Sequence, residues 1–277
     1  MRRLQQPGPA PTERIESIAG HGRMLEFELQ PGLSLNDALT RPLVAAGMRS
    51  ATLVFHDAEL APLHYCIPGP PRDQSHVAWF SAPRSAASAR IEIANTTFGW
   101  RDAAPFVHCH AAWAEPDGRR GGHILPHETV VAVGCTVRAW ALAEVAIVAE
   151  PDPETNFILF HPVPAANAAV GTKLIVARIR PNEDISEAVA TICRRHGLTR
   201  AAVRGSIGSL IGARFTQGDV VPDHATEVLV HQGTFTVGSD AMLDVLVVDM
   251  QGVVHQGVLQ PAANPVCITF ELVLEPV

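Results

Sequence analysis

The chain has 277 residues, close to two ordinary domains in size, with 47% apolar and only 18% charged residues, a balance that excludes a disordered polymer. Its net charge is −7 and neither half carries an excess of Lys and Arg, which argues against a broad surface for nucleic acid. Five scattered cysteines, odd in number and without a CxxC pair, read as free thiols in a reducing compartment, so a cytoplasmic protein is expected.

Residues 1–20 contain Pro and Gln and lack periodicity, which predicts a loose lead-in; they carry charge but no apolar segment of the secretory kind. A first unit over 21–150 opens with a short apolar strand at 24–29 and a turn containing Pro31. Next comes an amphipathic helix capped by Ser34, with Leu35, Ala38, Leu39, Leu43 and Ala46 facing inward. Pro42 is expected to bend or shorten this helix, and Gly47 to end it in a left-handed cap. Strands are expected at 51–55, 91–94, 107–113 and 130–148. The apolar stretch 129–149 is interrupted by Arg138 and Glu144, so it reads as buried strand and no membrane span is expected.

Residues 151–172 read as a linker, with a possible short strand at 157–160, and a second unit follows over 173–277. It repeats the opening of the first at an offset of 150 residues. Residues 24–65 align without a gap on 174–215, Pro31 falling on Pro181 and Gly47 on Gly197. The second helix is capped by Asp184, with Ile185, Ala188, Val189, Ile192 and Cys193 inward, and strands are expected at 201–204, 227–230, 234–237, 242–249 and 266–274. The fold class is therefore α+β, with one helix on a largely antiparallel sheet, made twice. The first unit is longer, mostly through 66–90, which is either a tolerated surface insertion or a flap over a site.

Only the first unit carries His108-Cys109-His110 and Gly121-Gly122-His123. On a strand, His108 and His110 project to one face while Cys109 points away. The turn Glu115-Pro116-Asp117-Gly118 suits type I, and a hairpin pivoting between Pro116 and Asp117 pairs His110 with His123. A slip of one residue would send His123 to the other face. In the paired register three imidazoles converge, the pattern of a catalytic zinc site with an open position. His127 and Glu128, just beyond, are candidates to orient a ligand or to shuttle protons. Aligning the second unit places Gly257 opposite His123, and Val245 and Val247 near His108 and His110, so that unit reads as a scaffold without a site.

The segments RPNEDISEAV and HGLTRAAVRGSIGSLIGARF of the second unit resemble the plants-and-prokaryotes-conserved (PPC) domain, and HCH with GGHIL in the first resembles that family's histidine pattern. The resemblance spans nearly everything from residue 24 onward as two tandem copies. It implies an α+β domain that assembles as a trimer and a metal held by His108, His110 and His123. The fold is also distantly similar to acetolactate decarboxylase, a zinc enzyme. Plant members of the family associate with DNA through an Arg-Gly-Arg-Pro hook, which this acidic chain does not contain. The expectation is a homo-oligomer that binds one zinc or other divalent metal in its first unit and acts on or senses a small polar metabolite. If it is an enzyme, a metal-dependent lyase or hydrolase is expected. The alternatives are a DNA-associated regulator and a structural oligomer with a vestigial site.

Overall fold

Both helices form where the sequence puts them. In the computed structural model, which describes residues 2–116, 118–166 and 170–277, α1 spans Leu35–Ala45 and α2 spans Ile185–Arg195. Ser34 Oγ accepts the N–H of Asp37, and Asp184 Oδ1 accepts those of Ser186 and Glu187, so each first turn has its free donors satisfied. Gly47 and Gly197 hold φ of 75° and 67°, the left-handed conformation expected after each helix. Pro42 does not shorten α1, since both helices run to 11 residues. The buried Leu35, Leu39 and Leu43 tie α1 to its sheet, and this packing outweighs the lost N–H.

The two units lay down their strands in the same order, all antiparallel. In the first, Ile15–Glu28 pairs with Thr136–Leu142, then come Ser50–Phe55, Ala89–Arg101, Ala104–Glu115 and Gly118–Ile124. In the second, Thr172–Ile179 pairs with Val266–Pro276, followed by Arg200–Leu210, Thr226–Thr236, Met242–Val248 and Val254–Val258. The fold class is thus α+β with two tandem one-helix units. The expected strand at 130–148 is three shorter ones, Val131–Val133, Thr136–Leu142 and Val145–Pro151. Conversely, the strands expected at 227–230 and 234–237 are one strand.

Each sheet carries its helix on one face, where α1 and α2 each join a separate core. The other two faces meet. Ile93 and Ala112 of the first sheet pack on Ile207, Leu229 and Leu246 of the second. Asn95 Nδ2 donates to the carbonyls of Ser206 and Val230, and Thr52 Oγ1 to that of Gly205. The order through the molecule is helix, sheet, sheet, helix.

Two expected boundaries change. The lead-in is not loose up to residue 20, because the opening strand begins at Ile15 and its first half pairs with the second unit, Ile15 opposite Ile179 through Gly22 opposite Thr172. Gly20 and Gly22 hide this strand from a propensity reading, yet Gly22 is needed. A Cβ there would lie 2.6 Å from the carbonyl oxygen of Ala141 and from a methyl of Leu174. The linker 151–172 is largely a hairpin arm, in which Ile158–Pro164 pairs with Val145–Pro151; residues 167–169 lie outside the described set.

Where lead-in, hairpin arm and second unit meet, charges are buried together. Asp152 accepts from Arg178 Nη2 and Arg180 Nη1, both at 2.8 Å, with Asp152 and Arg178 no more than 1% exposed. Glu154 accepts from Arg14, and Glu16 faces Arg178, Arg180 and His161. Burial alone would raise the pKa of Asp152, but Arg178 beside it holds the carboxyl well below the usual range. Glu16 is lowered in the same way, its hydrogen bond to His161 and the charge of Arg178 outweighing burial.

Removing the charge with Asp152→Asn leaves Arg178 and Arg180 to share Glu16 and Glu154 and should cost up to about 3–5 kcal/mol, read by urea unfolding at neutral pH. Because both carboxyls have lowered pKa values in the fold, their stabilisation is complete above about pH 4–5 and is lost as the pH falls further. The acid limb of the stability curve should therefore flatten in Asp152→Asn.

Candidate metal centre

His108 and His110 stand on the strand Ala104–Glu115, and His123 on the adjoining Gly118–Ile124. The hairpin takes the paired register, with His110 opposite His123 and Glu115 opposite Gly118. Asp117 of the expected turn lies outside the described residues. Val107, Cys109 and Ala111 point into the first core, so His108 and His110 point the other way, into the seam between the sheets. Two glycines let the second strand of the hairpin fit there. A Cβ on Gly121 would meet Val248 of the second unit at 2.6 Å, and one on Gly122 would meet the carbonyl of Cys66 at 2.6 Å.

One nitrogen from each of the three rings lies within 4.8 Å of the others. Ring centres are 4.7 Å apart for His108 and His110, 4.8 Å for His108 and His123, and 5.5 Å for His110 and His123. The outer nitrogens fix the tautomers. His108 Nδ1–H donates to Glu271 Oε1 and His110 Nδ1–H to the carbonyl of Val228, each at 2.9 Å. The Nε2 atoms of the two rings face each other at 3.0 Å, and Glu227 Oε2 lies 2.7 Å from that of His110, an arrangement that calls for a proton or a metal cation among the three. His123 Nδ1 is buried without a partner.

Electrostatics support a cation-seeking centre. Burial, followed by the neighbouring His108 and His110, pushes the pKa of His123 well down, which favours the unprotonated ring. Burial also opposes charge on His110, but Glu227, 2.7 Å from its Nε2, raises its pKa. At Glu271 burial works against ionisation, and His108 beside it nonetheless holds its pKa below the ordinary value. The three histidines, backed by carboxylates, fit a divalent metal in ligand type and in the state of their outer nitrogens.

The second unit is therefore not blank. It supplies Glu227 and Glu271, both nearly buried, to the histidines of the first. The sequence carried one sign of this, a lone acid within an apolar run at CITFELVL and at TEVLV. The aligned Val245 and Val247 are not counterparts of the histidines, since they point into the second core. The position facing the seam is Leu246.

His127 and Glu128 are not brought to the site. Both are exposed, and neither lines the cavity beside the histidines. After Ile124 the chain turns away to cover the start of α1, where Asn36 N–H donates to the carbonyl of Pro126 and Leu35 N–H to that of Thr129. His127 lies against Phe106 with ring centres 5.7 Å apart. Among the described residues no cysteine joins the histidine cluster, and burial pushes the thiols of Cys66, Cys109 and Cys267 up to about 12.

A cavity of about 420 Å³ opens beside His108 and His123. The insertion contributes Pro68, Ala78, Trp79 and Phe80 to its wall, and the hairpin arm contributes residues 156–160. Phe80 lies 5.0 Å from the His123 ring, so of the two readings of 66–90 the flap is the one realised.

Two tandem α+β units with a three-histidine group between them define the class. Residues 166–277 match the family model of the Plants and Prokaryotes Conserved (PCC) domain, and the second unit belongs to that family. Among solved structures, the chain is similar to a metal-containing protein of Archaeoglobus fulgidus, with 17% identity, 51% of this chain and 94% of that one covered, and a TM-score of 0.40. A plant- and prokaryote-conserved protein of Pyrococcus horikoshii has 19% identity, coverage of 53% and 97%, and a TM-score of 0.40. A protein of Salmonella enterica has 18% identity, coverage of 53% and 96%, and a TM-score of 0.41. No curated protein matches the chain. No helix among the described residues is long and apolar enough to cross a membrane.

In metal-free protein, His123 should stay neutral as the pH falls through about 6.5, where an ordinary histidine titrates. Imidazole C–H shifts assigned by His123→Gln and followed by NMR will read this; an ordinary titration would contradict the buried position beside two other histidines.

Proposed function

We propose that the protein holds one divalent metal, zinc, on His108, His110 and His123, and acts on a small carbonyl-bearing molecule in the adjoining cavity. Lyase or hydrolase chemistry is the class it suits. The observation that carries this reading is the pair of Nε2 atoms at 3.0 Å, both outer nitrogens being committed as donors. Three imidazoles with an open side, His110 giving up its Nε2 proton as the metal enters, match a catalytic zinc site. When bound, zinc supplies Lewis acidity toward a carbonyl oxygen or lowers the pKa of a water.

The chain's own residues divide the remaining work. Glu271 and the Val228 carbonyl orient the rings of His108 and His110. Glu227 Oε2, beside His110 and on the cavity wall, is the group positioned to hold or pass a proton, the role expected from sequence for His127 and Glu128. A net charge of −7 favours a small molecule over a polyanion as the partner.

Elemental mass spectrometry of protein purified without added metal tests the site. Wild type should carry about one zinc per chain, and His110→Ala none, with its circular dichroism unchanged. Stoichiometric metal retained in His110→Ala would overturn the assignment. Glu271→Gln should keep the metal but weaken it about 10–100-fold in a chelator competition, because the orienting carboxylate becomes an amide.

A further inference from the structure

The cavity wall has an aromatic character that the histidines alone do not explain. The chain has ten phenylalanines, four tryptophans and one tyrosine. Five of these rings, Trp79, Phe80, Phe106, Phe157 and Phe160, line this one cavity. They come from three separate segments, the insertion, the site hairpin and the hairpin arm. Trp79 stacks on Phe157 with centres 5.1 Å apart and planes 27° apart, while the edge of His76 braces both at 4.4 and 4.9 Å. The wall is preorganised for a flat apolar body, since rings pack best on rings in offset or edge-on arrangements. Its volume lies near the lower end of the range for small-molecule sites, about 300–1,000 Å³.

The polar groups of the wall are mostly spent. Thr226 Oγ1 donates to the carbonyl of Leu210, Ser209 Oγ accepts the N–H of Ile268, and Thr269 Oγ1 accepts from Arg178 Nε. For a sugar or other polyol this leaves, away from the histidine end, chiefly one O–H each on Ser209 and Thr269. Free polar capacity is concentrated at the histidine end, where Glu271 Oε2 and His123 Nδ1 are buried without partners. That end also carries the carboxyls of Glu227 and Glu271, which repel an anionic head group. Arg101 is the one Lys or Arg on the wall, and it is exposed, lying over the ring of Phe106.

We infer that the cavity takes an uncharged aromatic carbonyl compound of one or two rings, its oxygen-bearing end at the histidines and its ring among Trp79, Phe80 and Phe157. This deepens the proposed function and rests on it for the role of the metal, but the ring selectivity stands on the cavity wall. It replaces the expected small polar metabolite with a ligand polar at one end only.

Ligand-observed NMR titrations of the full chain, metal-free and zinc-loaded, test it with three probes: benzamide, acetamide (methyl in place of the ring) and benzoate (an anionic head). Benzamide should bind at least about tenfold more tightly than either of the others in both forms. Phe157→Ala and, independently, Trp79→Leu should each reduce that preference about tenfold while leaving zinc content unchanged. Equal binding of benzamide and acetamide, benzoate as tight as benzamide in the metal-free protein, or a preference indifferent to both substitutions would overturn the inference. If the protein takes up no zinc yet keeps the benzamide preference, the metal reading fails and the aromatic site stands.

Discussion

Everything distinctive about this molecule depends on two β-sheets meeting on the faces that their own helices do not cover. A sheet with one helix on one side leaves its other face to solvent or to a partner. Here the partner is the second unit of the same chain, and the seam is sealed by Ile93, Ala112, Ile207, Leu229 and Leu246. Whatever projects into that seam leaves water. The three histidines do so from one side and Glu227 and Glu271 from the other, which is why imidazoles are brought into contact and carboxylates to hydrogen-bond distance.

That seam is held in place by the buried charges at its edge. Asp152 between Arg178 and Arg180 joins the hairpin arm to the second unit, and Glu16 and Arg14 bring in the opening strand. Such a group is costly to bury and costly to break, so it fixes geometry as much as it adds stability. Arg178 also donates to Thr269 on the cavity wall, so the clamp and the cavity share a residue contact.

Much of this was legible in the sequence. Both helices, their Ser34 and Asp184 caps, the glycines after them and the pairing of His110 with His123 follow from periodicity and local chemistry, which act over a few residues. What was not legible acts at long range. The opening strand contains two glycines whose purpose is visible only in the fold, Gly20 against Val145 and Leu142 and Gly22 against Ala141 and Leu174. Glu271 and Glu227 looked like stray acids in apolar strands because their histidine partners are 163 and 117 positions away. The role of 66–90 as a flap depended on knowing that Phe80 reaches His123. His127 and Glu128 illustrate the reverse error, proximity in sequence taken for proximity in space.

The opening strand, hydrogen-bonded to the second unit along its first half and to the first unit along its second, makes the two units inseparable as folded pieces. Cutting the chain between them would leave one sheet without an edge strand that it borrows from the other. The same continuity fixes stoichiometry. Histidines on one unit and carboxylates on the other are always present one to one, because they are parts of a single polypeptide. Each half is thereby released from having to carry the whole centre, and among the described residues one chain builds one histidine cluster, not two.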